Sequence, residues 1–368
     1  MRLLQLVAGE KWTGAAAVVF DQTAALLAGG VEAQFGFVSD SPLAARLLPL
    51  GWARPLLTPS RNLLDYPGNV RRLIETVERE RFDVVHCHTS HDHYLAAVAL
   101  RRTRVLLART FHHLDHVRRD VFSRVLFRAT DAFAFANRAI AEKFGGEGPV
   151  HSPVVDAARF APGEKPLDRL RALRIPVESF VVGTVGKLAT GRGHREAIEA
   201  IAELPVDSAL LHVGKGELLL ELEAQATALG AADRNFWVGY VDDDLPFFYR
   251  AMDVFLFAGS GSEQGQRAVL EAMASGLPVV ALDLPGIRDL LTDQREGLIV
   301  ERTTDLSGAL ARLRGHSDER RRMGARARTR ALEFGGESFA DRTREFYARL
   351  LARKSMTSRA WEAGETAG

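Results

Sequence analysis

The residues best suited to chemistry are two glutamates, Glu263 and Glu271, set eight positions apart in AGSGSEQGQRAVLEAMASGLPVVA, residues 258–281. At about 100° per residue, that spacing brings both to one broad side of an α-helix, roughly two turns apart. The stretch reads as loop, helix, tight turn and strand. Glu263 opens the helix, Ser275-Gly276 closes it, and Pro278 precedes the apolar strand 279–281. A glutamate at a helix N-terminus lies beside free backbone N–H groups and the positive end of the dipole, and such a mouth suits a diphosphate or a sugar hydroxyl. The plain alternative is a surface-to-core helix with two solvated carboxylates.

A cationic loop comes next. Gly186-Lys187-Leu188-Ala189-Thr190-Gly191-Arg192-Gly193-His194 joins a strand over 180–185 to a helix over 195–204. Its glycines let the backbone approach a phosphate closely. Lys187 and Arg192 supply charge, with Arg192 carrying the bidentate fork. The phosphate-loop pattern G-x-x-x-x-G-K-[ST] is not met, nor is G-x-G-x-x-G in the first loop, 9–14. The competing view is a βα turn with two solvated cations.

Histidines form the third group. HCHTSHDH (86–93) and RTFHHLDH (109–116) hold seven of the chain's 11. His86 and His88 share one strand face. A zinc hydrolase is the alternative they raise, because the first run is similar to the H-x-H-x-D-H of metallo-β-lactamase-like enzymes. Ser90, however, stands where that pattern needs an aspartate. Neutral histidines hydrogen-bonded at strand ends are the plainer view. Asp242-Asp243-Asp244 has metal-binding spacing, but its place before Leu245-Pro246 favours a helix N-cap. Eight arginines against two aspartates in 101–128, with Val117, Phe122, Val121, Val125 and Leu126 at helical spacing, read as an amphipathic helix with a basic face. A packed helix with solvated arginines is the favoured account. The functional version is peripheral attraction to an anionic membrane or acceptor.

The elements that must position these groups alternate along the chain. Strands are expected at 3–8, 33–38, 84–87, 105–109 and 132–136, with helices at 15–28, 70–80 and 94–100 between them. A second series has strands at 180–185, 210–213, 236–238 and 297–300, and helices at 318–333 and 338–353. Strand–loop–helix alternation with continuous apolar runs means parallel sheets covered on both faces, with binding residues at the carboxyl ends of strands. A length of 368 residues fits two domains. Hydrophobic and charged fractions of 46% and 26% are those of a globular protein. A net charge of +1 argues against nucleic acid as a partner. The single cysteine, Cys87, fits a reducing compartment. The opening MRLLQLVAGEKW is too short an apolar run for a signal peptide, and no run approaches the ~20 residues of a spanning helix. The expectation is a cytoplasmic protein, peripheral at the inner face of a membrane if the basic segment docks there.

E-Q-G-Q-R-A-V-L-E-A-M-A-S-G-L-P-V resembles the E-x7-E signature of retaining GT-B glycosyltransferases of family 4, usually E-G-F-G-x-x-x-x-E-A-M-A-x-G-x-P-V. The second half matches closely; Gln264 and Gln266 replace glycines and Gly265 takes the aromatic position. The loop 186–194 is similar to that family's G-R-L-x-x-x-K-G-x with the two basic types exchanged. Thr110-Phe111-His112 matches a T-F-H context, Gly14 a glycine of the first loop, Val154-Val155-Asp156 with Phe160 an interdomain crossing, and Gly286-Ile287-Arg288-Asp289 a G-G-x-x-E turn.

The resemblance implies an α/β fold of GT-B architecture, two Rossmann-like doubly wound domains facing a cleft. The expected division is an acceptor-side domain over 1–155, a linker over 156–178, a donor-side domain over 179–335, a helix over 336–353 crossing back to the first domain, and a loose tail over 354–368. It implies transfer of a sugar from a nucleotide diphosphate sugar to a hydroxyl of a glycan or lipid-linked glycan, with retention, in polysaccharide or lipopolysaccharide biosynthesis. No metal or other cofactor is expected. Donor contacts would come from Gly186, Lys187, Arg192, Gly265, Leu270 and Glu271, with Glu271 accepting ribose hydroxyls. Glu263 would sit by the transferred sugar, and His112 and Gly14 would lie on the acceptor side. The catalytic set is Glu263, Lys187, Arg192 and His112. A GT-B scaffold that binds nucleotide sugars without turnover is the third class of function the altered E-Q-G-Q loop brings to mind.

Overall fold

The computed structural model describes residues 1–11, 14–59, 65–117, 120–241, 243–259 and 266–365, with side chains to residue 354. The chain divides into two units, Met1–Val154 with Gly336–Gly368, and Val155–Gly335.

The first unit is built on six parallel strands: β1 (Arg2–Leu6), β2 (Glu32–Val38), β3 (Ala53–Leu57), β4 (Val84–Cys87), β5 (Leu106–Phe111) and β6 (Ala132–Phe135). Their order is β3-β2-β1-β4-β5-β6, the doubly wound arrangement. Alternation along β1 sorts its residues into two layers. Leu4 and Leu6 join Val85, Leu73, Val77 and Leu95 on one face. Leu3 joins Val84, Leu106, Leu26, Phe339 and Tyr347 on the other. The second layer exists because the C-terminal helix, Gly336–Glu365, lies against the helix Gly14–Ala28. Their approach is close: a Cβ on Gly29 would stand 2.5 Å from that of Ala340. Lys354 fastens the helix by donating to the carbonyl of Val105 at 3.2 Å and to Asp131.

The second unit repeats the plan with β7 (Phe180–Val185), β8 (Ser208–Val213), β9 (Asn235–Gly239), β10 (Val254–Phe257), β11 (Val279–Leu282) and β12 (Gly297–Val300). All are parallel, ordered β12-β11-β10-β7-β8-β9. Val181, Leu211, Phe255 and Val279 face Tyr249, Leu270 and Met273. Val182, Leu210, Val254 and Val280 face Ile198, Ile201 and Leu310. Val155, Phe160, Leu170 and Ile175, ahead of β7, belong to this core.

Several expectations are corrected. β3 and β10 went unread. β3 is an edge strand carrying Arg54-Pro55, and proline is tolerated there because one side of the edge lacks a ladder partner. β10 is only four residues, all apolar, where periodicity says little. The tail is helical through Glu365, since Met356, Arg359, Ala360 and Glu362 are good helix formers even without an apolar stripe. Asp244 does stand at a helix N-terminus, yet its side chain makes no cap; it accepts from Arg169 at 2.6 Å instead. Asp242 lies outside the described residues. The basic segment departs most. Its helix spans Val121–Arg128, capped by Asp120, which accepts from the Ser123 N–H at 2.8 Å. Only Ser123 and Leu126 are buried in it, while Val121, Phe122 and Val125 are 71%, 77% and 62% exposed beside Arg124 and Arg128. Val121, Phe122 and Val125 are thus turned outward, while Leu126 is buried and Phe127 packs against Phe111, Phe133 and Phe144. Among the described residues no helix is long and apolar enough to cross a membrane.

Candidate active site

The loop after β7 is shaped by close backbone packing. The Gly186 N–H donates to Val213 at 3.0 Å, and Leu188 donates to Lys215 at 3.1 Å. A Cβ on Gly214 would meet the carbonyl of Gly186, so this loop and the loop after β8 lie side by side only because a glycine is there. Gly193 has φ +82°, and a Cβ on it would stand 2.5 Å from Ala258 and Gly259 at the end of β10. Gly193 caps the helix His194–Ala202, whose first N–H groups open onto the loop. Lys187 and Arg192 therefore ride on a wedged backbone. Lys187 is 59% exposed and paired with Glu217 at 2.8 Å. Arg192 is half-buried, and burial lowers its pKa.

Leu270 and Glu271 sit on the helix Gln266–Ala274. Leu270 is fully buried, its side chain spent on the core. The Glu271 carboxylate is 5% exposed; burial raises its pKa against the pull of Arg267 and Tyr249. Tyr249 donates to Oε2 and Arg267 Nε to Oε1, each at 2.9 Å. Gln266, also buried, donates to the carbonyl of Pro285 at 3.2 Å, beside the Gly286 turn. Glu263 and Gly265 lie outside the described residues.

In the first unit, Gly14 begins the helix after β1. His112 follows β5 and is 5% exposed, its Nε2 3.1 Å from Nδ1 of His88. Nε2 of His88 is 2.7 Å from Oε1 of Gln5. His86 bonds Tyr347 through Nδ1 and Thr110 through Nε2, both at 2.6 Å. Every ring nitrogen of His86 and His88 is thus committed to a hydrogen bond. Among the described residues no group of three or more His, Cys, Asp or Glu is placed to hold a metal. Below this histidine network, Asp92 accepts from the N–H groups of Ala8 at 3.1 Å and Thr89 at 2.9 Å, and faces Arg109 at 3.5 Å with both side chains buried. Burial pushes Asp92 up to about 6 despite Arg109.

The structure groups Gly186, Lys187 and Arg192 on one loop. Sequence reasoning missed the partners that hold the site: Gln5 and His88 behind His112, Tyr249 and Arg267 around Glu271, and Glu217 on Lys187. Only Arg267, four residues before Glu271, carried a signal, the helical ion-pair spacing.

Two family models account for most of this chain: "Glycosyltransferase Family 4" over residues 12–146 and "Glycosyl transferases group 1" over 168–330. A lipopolysaccharide core biosynthesis mannosyltransferase, LpsB, of Rhizobium meliloti is 30% identical over 242 residues, 63% of this chain and 68% of that protein. The chain belongs to the GT-B glycosyltransferases of the family-4 type. A 2-deoxystreptamine glucosyltransferase of Streptomyces kanamyceticus is 36% identical over 140 residues, 36% of this chain but only 35% of that enzyme's length. The UDP complex of Anabaena HepE shares the fold, with a TM-score of 0.81 at 20% identity over 95% of this chain and all of that one.

Burial also sets a pH response. Desolvation drives His112 and His212 down to about 3 and His151 and His194 to about 4. The unfolded chain takes up these protons near pH 6.5, whereas the folded chain resists until about pH 4. Stability is therefore full above pH 6.5 and is lost as pH falls toward 4, by about 2 kcal/mol per buried histidine at pH 5. Melting temperature should fall steeply between pH 7 and 5; a flat profile would contradict the buried, neutral histidines.

Proposed function

We propose that this chain transfers a sugar from a nucleoside diphosphate sugar to a hydroxyl of a glycan or lipid-linked glycan, with retention and without a metal. The observation that carries the reading is the glycine-wedged β7 loop bearing Lys187 and Arg192. A departing diphosphate needs charge neutralisation more than it needs a proton. Arg192 is partly desolvated, so an anion beside it is held more strongly than in water. Lys187 exchanges Glu217 for a phosphate oxygen. Gly186, without a side chain, lets the phosphate approach the loop, and the first N–H groups of the helix His194–Ala202 add backbone donors.

Glu271 accepts the ribose hydroxyls with the lone pairs that Tyr249 and Arg267 leave open. Glu263, Gly265 and Leu270 complete the donor side, Glu263 beside the transferred sugar. His112 and Gly14 serve the acceptor side. In the step itself, the acceptor oxygen bonds to the anomeric carbon on the face from which the diphosphate leaves. The anomeric C–O bond breaks, and a phosphate oxygen takes the acceptor's proton. The names of the relatives, a mannosyltransferase of lipopolysaccharide core and a glucosyltransferase, support hexosyl transfer. UDP, bound by HepE, is the first nucleotide to try.

The acceptor side has a second feature. The outward Val121, Phe122 and Val125 beside Arg124 and Arg128 suit peripheral contact with an anionic membrane surface, apolar side chains entering and arginines meeting headgroups.

Two experiments follow. A melting-temperature panel with UDP, GDP, ADP and dTDP should show a shift with one nucleotide, since a ligand at ~100 times its Kd adds about 2.7 kcal/mol. The shift should vanish in Lys187→Ala, whose exposed side chain the fold does not need. No shift with any nucleotide, or an equal shift in the variant, would refute the phosphate assignment. Phosphatidylglycerol vesicles should sediment the protein and phosphatidylcholine vesicles should not, with binding lost in Phe122→Asp. Equal behaviour of wild type and variant would remove the membrane contact.

A further inference from the structure

The hydrogen bonds behind His112 run in a line from β1 through the end of β4 to the end of β5. Gln5, His88 and His112 are 1%, 3% and 5% exposed, so water does not compete along the line. At its inner end stands Oε1 of Gln5, an acceptor with no proton to give. Nε2 of His88, 2.7 Å away, must therefore carry a hydrogen. A neutral imidazole has one N–H, so Nδ1 of His88 is left as an acceptor. It faces Nε2 of His112 at 3.1 Å, which must donate. His112 then has its proton on Nε2 and a bare lone pair on Nδ1.

Independent contacts hold the rings in these orientations. His88 stacks on His86 at 4.5 Å between centroids, and His86 is pinned by Tyr347 and Thr110. Both histidines of the relay are neutral: burial pulls their pKa values down, and Arg109, His86, His113, His116 and His151 around them oppose a second proton. Nδ1 of His112 makes no hydrogen bond among the described residues, yet it is not among the sealed, unpartnered atoms of the molecule.

We infer that Gln5 and His88 are positioning residues that fix His112 as its Nε2–H tautomer, so that Nδ1 accepts a hydrogen bond from a substrate hydroxyl. The inference rests on the proposed role of His112 as a substrate contact. It adds a specificity rule. A hydroxyl donates to this nitrogen, whereas a carboxylate, a phosphate oxygen or a methyl ether would set lone pair against lone pair. The tautomer of His112 is chosen two side chains away, by the amide of Gln5.

The test is a long-range ¹H–¹⁵N correlation spectrum of the full chain labelled with ¹⁵N-histidine, with signals assigned by His112→Ala and His88→Ala. Wild type should show His112 and His88 both protonated on Nε2. His88→Leu removes the acceptor and should release His112 into a tautomer mixture. His88→Asn places an amide oxygen near the lost Nδ1 and should restore the single form, which a merely structural role would not require. UDP release from UDP-glucose should slow by about tenfold in His88→Leu, recover in His88→Asn, and leave UDP binding unchanged in both. A proton on Nδ1 of His112 in wild type, or a tautomer unmoved in His88→Leu, would overturn the relay. A tautomer that follows the variants while UDP release does not would instead remove His112 from the substrate site.

Discussion

Parallel strands impose the constraint on which everything else depends. A sheet whose strands all run one way gathers their carboxyl ends, and the loops leaving them, along one edge. In each unit that edge holds the polar groups: Gln5, His88 and His112 on one, Gly186 to Arg192 on the other. Polar groups so close to a core must be satisfied or they destabilise it. Asp92 shows how this is met. It receives the N–H groups of Ala8 and Thr89 and faces Arg109, binding the ends of β1, β4 and β5 through one buried carboxylate. Removing either charge would leave the other buried and unpaired, which costs far more than the pair contributes.

The same economy governs the residues proposed to bind the donor. Glu271 is held by Tyr249 and Arg267, so its carboxylate is oriented without a ligand. The β7 loop is held by backbone contacts that only glycine permits, so its cations need little reordering. Lys187 differs, being exposed and tied to Glu217. A surface pair of that kind is weak, and a phosphate can displace it.

Much of this was legible in the sequence because local patterns encode it. The run from Arg267 to Ala281 fixed helix, turn and strand, and the alternating segments fixed two doubly wound units. What escaped was set by distance or by edges. β3 hid behind Pro55, since edge position is a property of the sheet and not of the strand. His112 is bonded to His88 and His88 to Gln5, three positions that no spacing rule links. The outward turn of Val121, Phe122 and Val125 was misjudged because helical spacing finds an apolar face without saying what that face meets. The tail was misjudged because helix propensity needs no apolar stripe.

The central claim is sugar transfer from a nucleoside diphosphate sugar by the cationic loop. Its most direct test is NMR observation of the wild-type chain with UDP-glucose and GDP-mannose in turn. The account predicts release of the nucleoside diphosphate from one of them, with the first-formed sugar product keeping the donor's anomeric configuration. Absence of turnover with both, or a product of inverted configuration, would contradict it.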